Sequence, residues 1–180
     1  MINTKQDLKR IICVEKALYF KTNKQFSFAR ITKDVTYRIY KYQVLLRKCE
    51  YYHNTNKKFR YLYNRRKKNC LGIKLGIEIW ENCFEEGLII YHAGNIVVNG
   101  NCKIGKNCSL YGSNCIGNNG KDQFVPNIGN NVKIGVGAKI IGNVVIANDV
   151  FIAAGAVVIS SVNEAGATVA GIPAKVVRRV

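Results

Sequence analysis

The sequence predicts a mainly β fold, in which a parallel β-helix of hexapeptide repeats follows an N-terminal basic α-helical region. An aliphatic residue occupies ten of the eleven positions spaced six apart from Val98 to Val158, and only Asp122 breaks the series. Neither a strand nor a helix has a period of six, so short strands joined by tight turns are indicated, with the aliphatic columns inside. Residues 1–70 carry 19 Lys and Arg against 4 Asp and Glu, whereas residues 71–180 carry 9 against 7. We therefore expect two domains, residues 1–70 and residues 71–180.

The composition favours a cytoplasmic protein with reduced thiols. The chain has 180 residues, of which 48% are hydrophobic, enough to bury a core. Its seven cysteines are an odd number with no C-x-x-C pair, which argues against a disulfide framework. No apolar run is long enough for a transmembrane helix, and the first residues lack the pattern of a signal peptide.

The N-terminal region is predicted to be helical, starting with a short amphipathic helix over residues 6–20. A second helix begins after Asp34, its predicted N-cap, because apolar residues recur at spacings of three and four from Val35 to Cys49. Residues 51–69 are predicted to contain a turn at residues 54–57, followed by another basic, tyrosine-rich helix.

Two interpretations of this basic helix remain open. In the first, its tyrosines pack the helices onto the first coil of the β-helix and its charges are solvated. In the second, it forms a patch for an anionic partner, either an acidic membrane surface, a phosphate-bearing substrate such as a lipid-linked glycan, or nucleic acid. Nucleic acid ranks last, because the sequence has no base-reading motif. The patch would consist of Lys57, Lys58, Arg60, Arg65, Arg66, Lys67 and Lys68.

The entry into the β-helix is predicted as a strand, since Ile73, Leu75, Ile77 and Ile79 alternate with other residues. Between the repeats, the polar segment 118–127 contains glycine and proline and predicts a loop at one edge of the β-helix. Loops on a rigid scaffold often carry function.

His92 is the candidate catalytic residue. It lies six residues before Val98, so the period predicts an aliphatic residue there, and a polar residue that breaks the pattern indicates a functional site. A neutral imidazole suits general-base removal of a hydroxyl proton. His53, in a basic turn without organising neighbours, is interpreted as non-catalytic. Glu78 is the preferred orienting partner of His92, and the alternatives are Glu81, Glu85 and Glu86.

Residues 71–180 resemble the left-handed β-helix acyltransferases. The resemblance rests on residues 75–108 with the motif H-x-G-x-I-V-V, on residues 129–158, and on the closing G-I-P-A-K at residues 171–175. The similar branch is serine acetyltransferase-like and includes capsular and exopolysaccharide O-acetyltransferases. It implies a left-handed β-helix, a homotrimer with active sites between subunits, acetyl-CoA as acyl donor, no metal, and His92 as the base in a direct attack of a hydroxyl on the thioester.

The same resemblance implies the residues that bind the donor. Val136, Gly137, Ala154 and Gly155 match positions whose backbone meets the pantetheine arm, and Lys175 matches one that meets the CoA phosphates. Small residues at such positions let a ligand approach the main chain.

Departures from the family pattern bear on the acceptor. Serine acetyltransferases have aspartate before the catalytic histidine, and this chain has Tyr91; their Arg-His-Pro loop motif is Phe124-Val125-Pro126 here. Tyr111 stands where the polysaccharide branch often has a second histidine. Because a buried zwitterion needs charged partners and these aromatic residues offer flat faces, the sequence favours a carbohydrate acceptor bound by Tyr91, Tyr111 and Phe124. The alternative is serine O-acetyltransferase of cysteine biosynthesis.

Three other classes fit less well. A zinc enzyme of the γ-carbonic-anhydrase type needs three histidines, and the chain has two. A nucleotide-sugar N-acyltransferase usually carries a further nucleotide-binding domain, which the sequence does not show. A non-catalytic scaffold leaves His92 unexplained. For the location, we expect the cytoplasm, with a peripheral position at the inner membrane face as an option.

Overall fold

The structure is a computed structural model and describes residues 1–178. Four helices come first: α1 (Lys5–Tyr19), α2 (Asn23–Thr32), α3 (Val35–Asn54) and α4 (Lys58–Leu75). Local signals set their ends. Thr4 and Thr22 form capping boxes with the third helical residue, and the side chain of Asp34 accepts a hydrogen bond from the backbone N–H of Tyr37. Gly76, in the left-handed conformation, ends α4.

The predicted strand at the entry is only partly present. Ile73 and Leu75 lie in α4, and the strand covers Ile77–Ile79 alone. The alternation of Ile73 and Leu75 suggested a strand, but Leu75 belongs to the buried face of α4. Lys68, Gly72 and Leu75 lie on this face at spacings of four and three residues. The helices therefore end at Leu75, and the predicted boundary after residue 70 falls within α4.

Fourteen short strands build the rest of the described chain. They are β1 (Ile77–Ile79), β2 (Ile89–Ile90), β3 (Ile96–Val98), β4 (Lys103–Ile104), β5 (Ser109–Leu110), β6 (Cys115–Gly117), β7 (Asn127–Ile128), β8 (Lys133–Ile134), β9 (Lys139–Ile141), β10 (Val145–Ile146), β11 (Phe151–Ile152), β12 (Val157–Val158), β13 (Thr168–Gly171) and β14 (Ala174–Arg178). All neighbours pair in parallel except β13 and β14, which close the stack as an antiparallel pair.

The strands form three faces, as the period of six predicts. The first face has the order β1-β3-β6-β9-β12, the second β4-β7-β10, and the third β2-β5-β8-β11-β13-β14. Aliphatic residues in register, such as Leu110, Ile134 and Ile152 on the third face, form the buried columns. The loop before Ile128 adds six residues between Ile116 and Ile128. Because the added length equals one repeat, the period of six continues after the loop, and Asp122 is the in-phase position that lies within it.

The helices and the first coil share one core. Ile39, Tyr42 and Leu46 of α3 belong to the same buried cluster as the aliphatic columns. The Tyr42 hydroxyl accepts a hydrogen bond from the backbone N–H of Ile79, at 3.0 Å. The Tyr19 hydroxyl accepts one from Ile90, at 2.8 Å. The tyrosines that bond to the backbone of the β-helix therefore come from α1 and α3, and the hydroxyl of Tyr61 in α4 donates to the Glu81 carboxylate at 3.5 Å.

Arg47 joins the helices to the β-helix electrostatically. Its guanidinium is 1% exposed and pairs with Glu15 at 2.6 Å and Glu50 at 2.9 Å. It also donates to the backbone carbonyls of Phe84 and Glu85, at 2.9 and 2.6 Å. Every buried charge here has partners, as burial of an ion requires.

Candidate active site

His92 is exposed in the turn that follows β2. The column residue of this coil is Ile90, which is fully buried and pairs in register with Leu110. Eight residues separate Ile90 from Val98, whereas six separate Leu110 from Ile116 in the next coil. The prediction that His92 occupies a column position is therefore wrong: His92 lies in a two-residue insertion at the corner between the third and first faces, where its side chain can meet a ligand.

The backbone of this turn is held between α4 and the next coil. The N–H of Gly94 donates to the carbonyl of Leu75, and that of Ile96 to the carbonyl of Gly76, both at 2.8 Å. On the other side, the carbonyl of Gly94 accepts from Ser113 at 2.9 Å. The end of α4 thus sets the conformation of the His92 turn.

Gly112 lies directly against His92 in the neighbouring coil. A Cβ added to Gly112 would lie 3.1 Å from the Cβ of His92, and the φ of Gly112 is 115°, a value that disfavours side chains. Gly112 was not predicted from the sequence, although its place at a repeat corner beside the candidate histidine was a usable signal.

The predicted donor residues lie along the same corner. Gly137 donates its N–H to the carbonyl of Gly112, and Gly155 donates to the carbonyl of Val136, each at 2.8 Å. Val136, Ala154 and Gly155 are exposed. The structure therefore arranges these residues in one line below His92, with an edge of small side chains along which a ligand could contact the backbone.

Lys175 lies further along the third face, in β14 and opposite Ala170, and is exposed. Four strand spacings between the His92 coil and β13 correspond to roughly 19 Å. Lys175 is thus far from His92, and only an extended ligand could meet both residues.

The predicted acceptor residues are only partly brought together. The rings of Tyr91 and Tyr111 stack, with centroids 4.6 Å apart and an angle of 27° between the planes. Phe124 is exposed in the loop and is not part of this stack.

Glu78 lies on the outer face of β1, opposite Val97. It lines a cavity of about 410 Å³ that Arg65, Trp80 and Asn95 also line. Within residues 1–178, no hydrogen bond joins Glu78 to His92. The cavity places Glu78 beside Asn95 of the His92 turn.

The other three acidic candidates all contact the helices, two through their side chains and Glu85 through its backbone. Glu81 pairs with the buried ammonium of Lys68 at 2.8 Å, and Glu86 pairs with Arg10. The backbone carbonyl of Glu85 binds Arg47. These residues therefore help to attach the helices. Across residues 1–178, no three His, Cys, Asp or Glu side chains are grouped so as to hold a metal ion.

A family model matches the repeats themselves. Residues 126–160 match the family described as "Bacterial transferase hexapeptide (six repeats)". This match covers the later coils of the β-helix, where Val136, Gly137, Ala154 and Gly155 lie.

Similar sequences are serine acetyltransferases. The enzyme of Staphylococcus xylosus is 35% identical over 130 residues, which are 71% of this chain and 60% of the relative. That of Staphylococcus aureus strain Mu50 is 38% identical over 107 residues, 58% of this chain and 50% of the relative. The chain thus spans half to three fifths of the length of these relatives.

Solved structures extend the similarity to the helices. The serine acetyltransferase of Brucella abortus has a TM-score of 0.76 at 22% identity, covering 98% of this chain and 71% of that one, which shows the fold alone. The Neisseria gonorrhoeae serine acetyltransferase has a TM-score of 0.72 at 26% identity, covering 96% and 68%. The predicted fold, a left-handed parallel β-helix behind N-terminal helices, is confirmed.

These relatives correct the predicted acceptor. The expectation of a polysaccharide O-acetyltransferase with a carbohydrate acceptor is wrong, because the similar proteins are serine acetyltransferases. The error came from the aromatic residues Tyr91, Tyr111 and Phe124, whose flat faces do not by themselves specify a sugar.

Proposed function

We propose that this chain, which carries the hexapeptide repeat of bacterial transferases, is an acetyl-CoA-dependent serine O-acetyltransferase. The observation that carries the proposal is its similarity to serine acetyltransferases, 35% identity over 130 residues. The site supports it, because His92 is exposed at a corner where Gly112 and the residues in line with it leave the backbone open.

His92 acts as the general base. Its imidazole takes the proton of the serine hydroxyl while the hydroxyl oxygen attacks the thioester carbon. When the carbon–sulfur bond breaks, the imidazolium returns this proton to the CoA thiolate, so the base is regenerated. Glu78 is the residue we assign to orient His92, because it lines a cavity with Asn95 of the His92 turn, whereas Glu81 and Glu86 are engaged in ion pairs with the helices.

Cysteine nucleophiles are not needed for this transfer. Burial raises the pKa of the Cys108 thiol and of the Cys102 thiol to about 11, so both are protonated near neutral pH. Both lie in the core of the β-helix, away from solvent.

The donor lies along the corner below His92. The backbone at Val136, Gly137, Ala154 and Gly155 would contact its pantetheine arm, and Lys175 would meet its phosphates. The open edge supports this placement, because Val136 is 51% exposed and the glycines add no side chain.

We also propose a homotrimer with active sites between subunits. The resemblance of residues 71–180 to the left-handed β-helix acyltransferases supports this assembly. A neighbouring subunit would also supply charged groups for the serine zwitterion, which Tyr91 and Tyr111 lack.

The seven unpaired thiols favour the cytoplasm as the location.

The test compares two histidine variants. With acetyl-CoA and L-serine, His92→Asn should lower the rate of thiol release by roughly 10²–10⁴-fold, the usual contribution of a general base. Its melting temperature should stay unchanged, because His92 is exposed. His53→Asn, at an exposed position in α3, should leave the rate unchanged. A wild-type rate in His92→Asn would reject His92 as the base.

A further inference from the structure

The outward face of α4 carries an apolar stripe that nothing in the described chain covers. Phe59 is 91% exposed, Leu62 59%, Tyr63 61% and Ile73 83%. Spacings of three, four and ten residues place them on one side of the helix, opposite the buried Lys68 and Leu75. Exposed apolar side chains that share one face of a helix indicate an interaction site.

Basic residues flank the stripe on both sides. Arg60, Lys67 and Lys74 are seven residues apart and form a straight row along one side, while Lys58 lies on the other side at the start of the helix. Arg65 instead lies over the Trp80 ring, in the lining of the Glu78 cavity. Arg66 lies within the stripe. The helix contains no Asp or Glu. Its seventh cation, Lys68, is buried and paired with Glu81, so it does not belong to this surface.

We propose that this face of α4 binds the surface of an anionic phospholipid membrane. The apolar side chains would enter the headgroup boundary while the long Lys and Arg side chains reach the lipid phosphates. The proposal goes beyond the proposed function, and of the stripe residues Ile73 also lines the Glu78 cavity. Within residues 1–178, no helix is long and apolar enough to cross a bilayer, so α4 would lie in the plane of the membrane.

The chemistry favours lipid over the other partners. Nucleic acid would satisfy the cations but leaves Phe59, Leu62 and Ile73 without a role, since base recognition uses stacking aromatics and hydrogen bonds. A second copy of α4 would bring two rows of like charge together, which is unfavourable. An anionic lipid surface complements both the charge and the apolar stripe.

The test is co-sedimentation of the full chain with vesicles of phosphatidylcholine, with and without phosphatidylserine. We expect binding only to the anionic vesicles, weakened by salt. The triple variant Arg60→Gln, Lys67→Gln, Lys74→Gln should bind on the order of a hundredfold more weakly, about fivefold for each cation. The double variant Phe59→Ser, Ile73→Ser should bind at least about tenfold more weakly, because it removes the apolar contact.

A matched control removes three exposed lysines from the β-helix: Lys103→Gln, Lys106→Gln, Lys133→Gln. It has the same net charge as the triple variant and should keep wild-type binding. Equal weakening by this control, or unchanged binding in the Phe59→Ser, Ile73→Ser variant, would overturn the proposal in favour of general charge attraction. The proposal would also be overturned if the full chain did not bind anionic vesicles, or if it bound RNA more tightly than these vesicles. Loss of self-association in the Phe59→Ser, Ile73→Ser variant would likewise overturn it. Circular dichroism of each variant verifies folding.

Discussion

Arg47 shows how a single buried residue fixes the helices to the β-helix. Replacing it by methionine leaves the carboxylates of Glu15 and Glu50 buried without their cation. We expect Arg47→Met to lower the free energy of unfolding by about 3–5 kcal/mol, as measured by urea denaturation.

The control for Arg47→Met is Arg10→Met, which breaks a partly exposed pair with Glu86. An exposed ion pair contributes about 1 kcal/mol at most, so this variant should stay close to the wild type. Equal stability of the two variants would contradict the role assigned to Arg47.

The sequence identified His92 as unusual for a reason that the structure does not support. Ile90 and Ile96 are six residues apart, and so are His92 and Val98. The period of six alone therefore could not decide whether Ile90 or His92 occupies the buried column position of this coil. Only the pairing of Ile90 with Leu110 reveals the two-residue insertion. The contribution of α4 to the His92 turn depends on long-range hydrogen bonds and could not be predicted from local sequence.

The junction between α4 and β1 predicts an effect on catalysis from a residue that need not touch substrate. A Cβ on Gly76 would lie 2.9 Å from the backbone N of Asn95 and 3.2 Å from the Cα of Gly94. Gly76→Ala should therefore displace the His92 turn and lower kcat for acetyl transfer by at least about tenfold, since small misplacements of a catalytic group are costly.

Gly142→Ala is the control for backbone strain. Gly142 also has a positive φ, of 88°, but an added Cβ would meet only Asn119 at an ordinary 3.9 Å. If both variants lost activity and stability equally, strain rather than the position of the His92 turn would explain the result.

At the scale of elements, the sequence predicted α1, α3 and α4 but not α2. The signal for α2 was present, because Thr22 and Gln25 form a capping box, yet its apolar residues Phe28 and Ile31 are exposed and give no buried period. The strand predicted from Ile73 failed for the opposite reason, since a buried helical face produced an alternation typical of a strand.

For the whole molecule, buried groups that resist ionisation predict an alkaline limit to stability. Burial raises the pKa of Cys49, of Cys83 and of Tyr40 to about 12, and it also raises the pKa of Tyr42. Unfolding restores ordinary pKa values, such as 9.0 for a thiol. Above that pH the unfolded chain binds fewer protons than the folded one, so stability is complete below it and falls as pH rises toward 12.

Urea denaturation at neutral pH, near pH 9.0 and near pH 11 measures this effect. The free energy of unfolding should decrease steeply only across the last interval. A value that stays constant to pH 11 would show that these groups ionise as readily in the folded protein as in the unfolded chain.

The whole architecture was the most predictable level. The period of six and the uneven charge come from residues spread over the entire chain, so no local ambiguity removes them. The acceptor was less predictable, because Tyr91 and Tyr111 form a stacked pair whose ligand depends on groups that the sequence does not bring together. Similarity to serine acetyltransferases, rather than side-chain character, corrected it.

The most direct test of the account is to identify the product formed from acetyl-CoA and L-serine by the purified full chain. We expect mass spectrometry to show O-acetyl-L-serine and free CoA in equal amounts, and no CoA release when serine is omitted. CoA release without acetylserine, or no reaction with serine, would contradict the assignment as a serine O-acetyltransferase.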